Sequence, residues 1–308
     1  MTFDGKGNLW IADVRGEGVQ QFTTSGSATS FLPVHDPKTG EPAHLGCIAF
    51  DSHGDLYAWA SFGVNQLWEF SPEGNLIRTI GRYGSGPGQL NSVDDVAIGK
   101  DGTVYVADQG NHRVAEFSPD GKWLGVLGSG KTGNGEGDIA NPTDVAVDRQ
   151  GDIVVADAGN NRIERFSSSG AFLSQWPITT GPANQYFIAV GPDESVYVID
   201  DLDSELAKYS PFGKLMWNAT ETAKSVDPLS IAVGPKGTIF VVNRILIWNI
   251  SSTGAASFWF RAPGTAVAQL SQPWGVEVDP AGGVYVADTS DSSGVRLSSS
   301  DQPSAWQS

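Results

Sequence analysis

Residues Asp94–Gly121 read DDVAIGKDGTVYVADQGNHRVAEFSPDG. Three short apolar runs, Val96–Ile98, Val104–Ala107 and Val114–Phe117, alternate with polar turns at Lys100–Gly102, Gln109–His112 and Pro119–Gly121. Runs this short, β-branched and aromatic, and bounded by Gly, Pro, Asp and Asn, form strands rather than helices. A fourth run follows at Trp123–Leu127. The stretch therefore predicts a four-stranded antiparallel meander.

The meander is written repeatedly along the chain. Asp144–Gly170 (DVAVDRQGDIVVADAGNNRIERFSSSG) matches it almost position for position. Cys47–Gly74, Phe187–Gly213 and Ser230–Gly254 follow with small length changes. Gly275–Ser298 opens well and then loosens, and Phe3–Gly26 matches from its second strand onward. The second-strand endpoints Asp13, Ala60, Asp108, Asp157, Asp200, Asn243 and Asp288 are 43 to 49 residues apart. Four strands per copy at that period predict an all-β β-propeller. One four-stranded sheet cannot cover both its faces, whereas sheets stacked radially cover one another. Seven blades are expected, with six as the alternative if the ragged ends do not both form blades. The approximate blade bounds are 1–45, 46–93, 94–142, 143–186, 187–228, 229–273 and 274–308, in one domain. The first inner strand is nearly missing, and no clear outer strand follows Leu297, which leaves ring closure weak. The chain also opens in the middle of the pattern, so it reads as part of a longer protein.

In the strands, Tyr105 and Ala107 point one way, Val104 and Val106 the other. Both sets are apolar, as a sheet sandwiched between two others requires. Trp10, Trp59, Trp68, Trp123, Trp176, Trp217 and Trp248 read as wedges between blades, with a sugar-stacking surface as the sharper alternative.

The pattern I-A-V-D, D-G-x-V-Y-V-A-D, G-N-H-R-V, F-x-x-D-G resembles the NHL-repeat propellers. Asn111-His112-Arg113 nearly copies their signature tripeptide, and Asn160-Asn161-Arg162 is a weaker copy. The resemblance spans essentially the whole chain and speaks to fold. It implies a binding module, as in the extracellular sensor domains of receptor kinases or RNA-binding repressors. Related propellers include lactonases and lyases, so fold alone does not choose.

Composition narrows the choice. Of 308 residues, 18% are charged, and the net charge of −16 opposes binding to nucleic acid or anionic membrane. The only cysteine, Cys47, excludes an intrachain disulfide. The longest apolar stretch, Ile239–Ile250, is interrupted by Asn243 and Arg244 and is far short of the ~20 residues that span a bilayer. The first residues lack a signal-peptide pattern. The expected partner is a protein or glycan, and an extracellular or cell-surface location fits best.

Four residues promise structure rather than chemistry. Asp108 with Arg113, and Asp157 with Arg162, end the second strand and begin the third, and should pair across the tight loop between them. Gly18, Gln66 and Glu205 replace the Arg in other copies, so these loops differ from blade to blade. Glycine turns such as Asp101-Gly102, Asp120-Gly121 and Glu73-Gly74 lie on one rim. The second-to-third-strand loops and the long inter-blade links lie on the other, where a ligand is expected to dock.

Gly125–Thr132 (GVLGSGKT) matches the phosphate-loop pattern, but no helix can start in the GNGEGDIANP that follows. The four histidines, His35, His44, His53 and His112, do not suggest a zinc site, and no G-x-S-x-G marks a nucleophile. The chemical candidates are at the mouth of the central channel, where each inner strand opens. Cys47, Asp95, Asp144, Phe187, Ser230 and Gly275 stand there, with Asp94 before Asp95. Asp94, Asp95, Asp144 and Ser230 are the candidate ligand-binding set. Asp95 and Asp144, from adjacent blades, are expected to converge and are weak candidates for holding Ca²⁺. Alternatively, one is kept protonated by the other. No catalytic residue is assigned. The reading is a non-catalytic binding scaffold using the link-bearing rim. The alternative is a metal-dependent lactonase- or lyase-like enzyme at the channel mouth.

Overall fold

The computed structural model describes residues 1–12, 18–23, 25, 27–36, 39–60, 65–180, 183–202, 205–219, 228–243, 246–261, 273–288, 293–297 and 303–306. The fold is all-β, a β-propeller of four-stranded antiparallel blades. Among the described residues, the strands sort into seven four-stranded sheets, each a meander of sequential strands. The third blade is built as the sequence predicts, from Val93–Ile98, Val104–Asp108, Arg113–Phe117 and Trp123–Val126. One correction concerns the end of the chain: an outer strand does follow Leu297. It is Pro303–Trp306, paired antiparallel with Ser293–Leu297. Its opening proline hides it in the sequence, yet an outer strand tolerates proline because its far edge pairs with nothing. The first inner strand is present as a two-residue strand, Thr2–Phe3, paired with Leu9 and Trp10. Asp13 lies outside the described residues.

Contacts divide the chain into two compact units, residues 2–21 with 30–177, and residue 1 with 22–29 and 178–308. In the first unit every side chain of Val104–Asp108 is buried. Val104 and Val106 join Tyr57, Trp59, Leu67 and Phe117 in one core, whereas Tyr105 and Ala107 join Val145, Ile153, Val155 and Phe166 in the next. A strand thus feeds two cores because its side chains alternate. In the second unit Ile239 and Val241 pack with Tyr197, Ile199 and Leu206. Phe240 and Val242 pack instead with Val276, Val284 and Val286. Trp59 and Trp68 are fully buried wedges in these layers.

The hairpin turns have a recurring cap. Asp4, Asp51, Asp148 and Asp279 each end an inner strand and accept backbone N–H bonds through Oδ1 from residues two and four further on. This satisfies the turn's donors without help from water.

Candidate functional site

The Asp–Arg pairs exist, and they reach further than the loop between them. Asp108 is fully buried. Its Oδ2 accepts from Arg113 Nε at 2.9 Å and Asn111 Nδ2 at 2.8 Å, and its Oδ1 from the Asn91 amide at 2.7 Å. The remaining guanidinium donors point back to the link before the blade's own inner strand. They meet the carbonyls of Ser85, Gly86 and Gln89 at 3.3, 3.2 and 2.6 Å. Asn111 also holds the Gly84 carbonyl at 2.9 Å.

The fourth blade repeats the clamp. Arg162 Nε meets Asp157 Oδ2 at 2.8 Å. Its terminal nitrogens bind the carbonyls of Asn134 at 3.0 Å and Gly135 at 2.9 Å, and that of Asp138. Asn160 holds the Gly133 carbonyl at 2.7 Å. Arg suits this task because its rigid fork presents several donors at once. The loops between turn through left-handed residues, His112 at φ 54° and Asn161 at φ 50°. Where Arg is lost, Gln66 holds a single link carbonyl, Gly81, at 3.1 Å.

Glu164, which sequence reading passed over, completes the fourth-blade clamp. It is fully buried. Its Oε1 accepts the Gly137 amide at 3.1 Å and pairs with Arg162 at 3.0 Å. Burial pushes its carboxyl up to about 7, against the pull of Arg162.

Asp95 and Asp144, from adjacent inner strands, are brought within hydrogen-bond reach of each other. A β-bulge displaces the inner strand just before these residues: pairing passes from Asp108↔Val93 to Ala107↔Asp95, and from Pro142↔Asp157 to Asp144↔Ala156. Asp95 hydrogen-bonds Asp144 and accepts the Val145 amide at 3.3 Å. Burial pushes the Asp95 carboxyl up to about 6. Two carboxyls at bonding distance share a proton, because both cannot ionise cheaply. Asp94 sits in the bulge and turns to Gln109 Nε2 at 2.5 Å; burial and Asp95 raise it to about 6. Burial, then Asp95, holds the Cys47 thiol well above its ordinary range. In the second unit Ser230 Oγ accepts the Val276 amide at 3.3 Å, the same bond that Asp95 makes. In both cases the residue that opens one inner strand holds an amide of the next inner strand.

In the second unit sequence reading also missed Glu277, half-buried and raised to about 6 by burial. The signal was present: Ala49, Ala97, Ala146, Ala189 and Ala232 hold the same place in the other copies.

The phosphate-loop match falls on the outer strand Trp123–Val126 and the turns after it, with the inner strand Pro142–Val147 next and no helix between. His112 Nδ1 accepts the Asn141 amide at 3.1 Å, so this histidine has a loop role. Among the described residues no group of three or more His, Cys, Asp or Glu side chains is placed to hold a metal ion. Asp95 and Asp144 thus bring two carboxyls together, and burial makes Asp95 the harder to ionise.

The fold is a β-propeller, and the chain carries NHL repeats in three places. The NHL repeat profile matches residues 90–117, 140–166 and 270–293. Over 134 residues the chain is 28% identical to NHL repeat-containing protein 3 of Homo sapiens and 31% identical to that of Mus musculus. Each match covers 39% of this chain and 38% of the relative, so the chain aligns with well under half of either protein. Among solved structures, the virginiamycin B lyase of Staphylococcus aureus superposes with a TM-score of 0.74 at 15% identity, covering 94% of this chain and 90% of that one. That likeness is one of fold.

Proposed function

We propose that this chain is a non-catalytic binding scaffold whose ligand, a protein or a glycan, docks on the rim carrying the inter-blade links. The clamps carry this reading. Arg113 and Arg162 bind the carbonyls of links 81–93 and 128–142 from within, so these glycine-rich segments are held in one shape before any ligand arrives. A pre-ordered loop spares the ordering cost of association. The same clamps leave Tyr83, 66% exposed, and Lys131 facing solvent on the two links. An exposed tyrosine suits either ligand class, having an apolar face and a hydroxyl.

The second reading is a metal-dependent lactonase- or lyase-like enzyme at the channel mouth. Its support is the Asp95–Asp144 pair, where carboxyls from two neighbouring inner strands meet; Ca²⁺ there is part of that reading. One experiment separates them. Glycan and peptide arrays are probed with the chain, with Tyr83→Ala and Lys131→Ala, and with Asp95→Asn. Binding lost in the rim variants and kept in Asp95→Asn supports docking on the links. Binding that depends on Asp95 alone, or Ca²⁺-stimulated hydrolysis of small lactones abolished by Asp95→Asn, overturns it.

A further inference from the structure

Two features formed by hairpin turns, one in each unit, are not used by the proposed docking on the links. The first is a cleft of about 270 Å³ in the first unit, formed where the turns of the first two blades meet. Trp10, Phe50 and Pro72 give it apolar walls, and Asp4, Lys6, Ser52 and His53 border it. Trp10 and Phe50 lie with ring centroids 5.6 Å apart, and Trp10 Nε1 donates to Asp4 Oδ2 at 2.9 Å. The indole's polar edge is thus satisfied inside the blade. Burial opposes ionisation of Asp4, but bonds from Trp10, Asn8 and Lys6 outweigh it, and its carboxyl stays below the usual range.

The second feature is the hairpin tip Ser210-Pro211-Phe212-Gly213 of the fifth blade. In five sibling turns the hydroxyl that opens the turn bonds a polar side chain two residues on: Thr23 with Ser25, Ser71 with Glu73, Ser118 with Asp120, Ser167 with Ser169 and Ser251 with Thr253. At Ser210 that partner is replaced by Phe212, 91% exposed, while Ser210 Oγ accepts only the amides of Phe212 and Lys214. Met216 and Leu215, 55% and 40% exposed, extend the apolar surface. The turn does not need a phenylalanine, since its siblings fold with Ser, Thr, Asp or Glu there.

We propose that this chain self-associates, with Phe212 of one copy seated in the Trp10–Phe50–Pro72 cleft of a second. Size fits: a cavity of roughly 150 Å³ already takes a benzene ring. Aromatic edge and face contacts favour a ring beside Trp10 and Phe50. Charge fits as well. Lys214, two residues from Phe212, comes to a cleft whose flanking turns carry Asp4, Asp51, Asp55 and Glu73 against Lys6 and the His53 already paired with Asp51. A plug and a pocket at different places on one chain make a heterologous contact. The proposal is independent of ligand docking on the links.

The test is sedimentation velocity across a concentration series, from micromolar to hundreds of micromolar. Phe212→Ser restores the sibling turn and keeps the fold; Ser52→Trp fills the cleft mouth. Each variant is expected to weaken self-association at least ~10-fold, as losing a central aromatic anchor does. Mixing the two restores a complex, since one supplies the plug and the other the cleft, which no misfolded variant would do. A wild-type chain that stays monomeric throughout, or a Phe212→Ser chain that associates as the wild type does, overturns the proposal.

Discussion

Arg162→Met isolates the energetics of the clamp. The side chain is nearly fully buried, and its guanidinium serves Asp157, Glu164, Gln175 and three link carbonyls. Methionine fills the space of the stem and removes every donor. Asp157 then keeps Asn160 and the Ala140 amide, but a fully buried carboxylate loses its counter-charge. Breaking a buried pair from one side costs ~3–5 kcal/mol. The carbonyls of 134 and 135 lie at the surface, so water replaces those bonds and adds little. The expected loss is therefore about 3–5 kcal/mol. Arg113→Met is expected to cost about 2–3 kcal/mol: its guanidinium is more exposed, and its further partners are link carbonyls and the ring of Trp123. Urea unfolding followed by tryptophan fluorescence measures both, and hydrogen exchange reports on residues 131–139. A loss under about 1 kcal/mol for Arg162→Met, or unchanged exchange across 131–139, would refute the view that the clamp orders the link.

Three further perturbations follow from the same geometry. Glu164 is raised from its unfolded value near 4.5 to about 7, so its contribution is fully present below pH 4.5 and is lost as pH rises through 7. Stability of Glu164→Gln relative to wild type should thus improve by about 1–3 kcal/mol between pH 4.5 and 8, measured as a pH series of urea midpoints; a flat difference would remove buried Glu164 as the cause. Asp95 is raised from 3.8 to about 6 with the same sign, so Asp95→Asn should match wild type near pH 4 and exceed it by about 1 kcal/mol at pH 8. Thermal melts at the two pH values decide this. Gly128 has φ 77°, and a Cβ there would stand 2.4 Å from the Gly137 carbonyl oxygen. Gly128→Ala should therefore cost at least about 2 kcal/mol, read from the urea midpoint; a neutral result would mean the link rearranges freely.

The blades were legible because strand and turn signals are local: Val104–Asp108 and its turns name themselves within a few residues. The Asp108–Arg113 and Asp157–Arg162 pairs were legible for the same reason. What the arginines also hold was not, because backbone carbonyls of a glycine-rich link leave no signature in residue type. The convergence of Asp95 and Asp144 followed from the repeat register, since residues at one register position on adjacent inner strands become neighbours. The bulge that sets Asp94 apart from Asp95 has no such marker. Glu277 was readable in principle, as the one carboxylate in a column of alanines, but comparing apolar patterns passes over a single exception. The turn-rim cleft draws residues from several turns of two blades and exists only once they stack.

The clamp bonds have a span that bears on how the chain folds. Arg113 reaches carbonyls 24 to 28 residues earlier, and Arg162 carbonyls at the same separations. The stitch from Asp95 to Val145 crosses 50 residues. Locks within one repeat close short loops, and short loops close at smaller entropic cost than long ones. The third and fourth blades can therefore fasten their own links as soon as their third strands form, before a neighbour arrives. On a ribosome, each would emerge with its rim already tied, and the stacking of blades would join finished pieces.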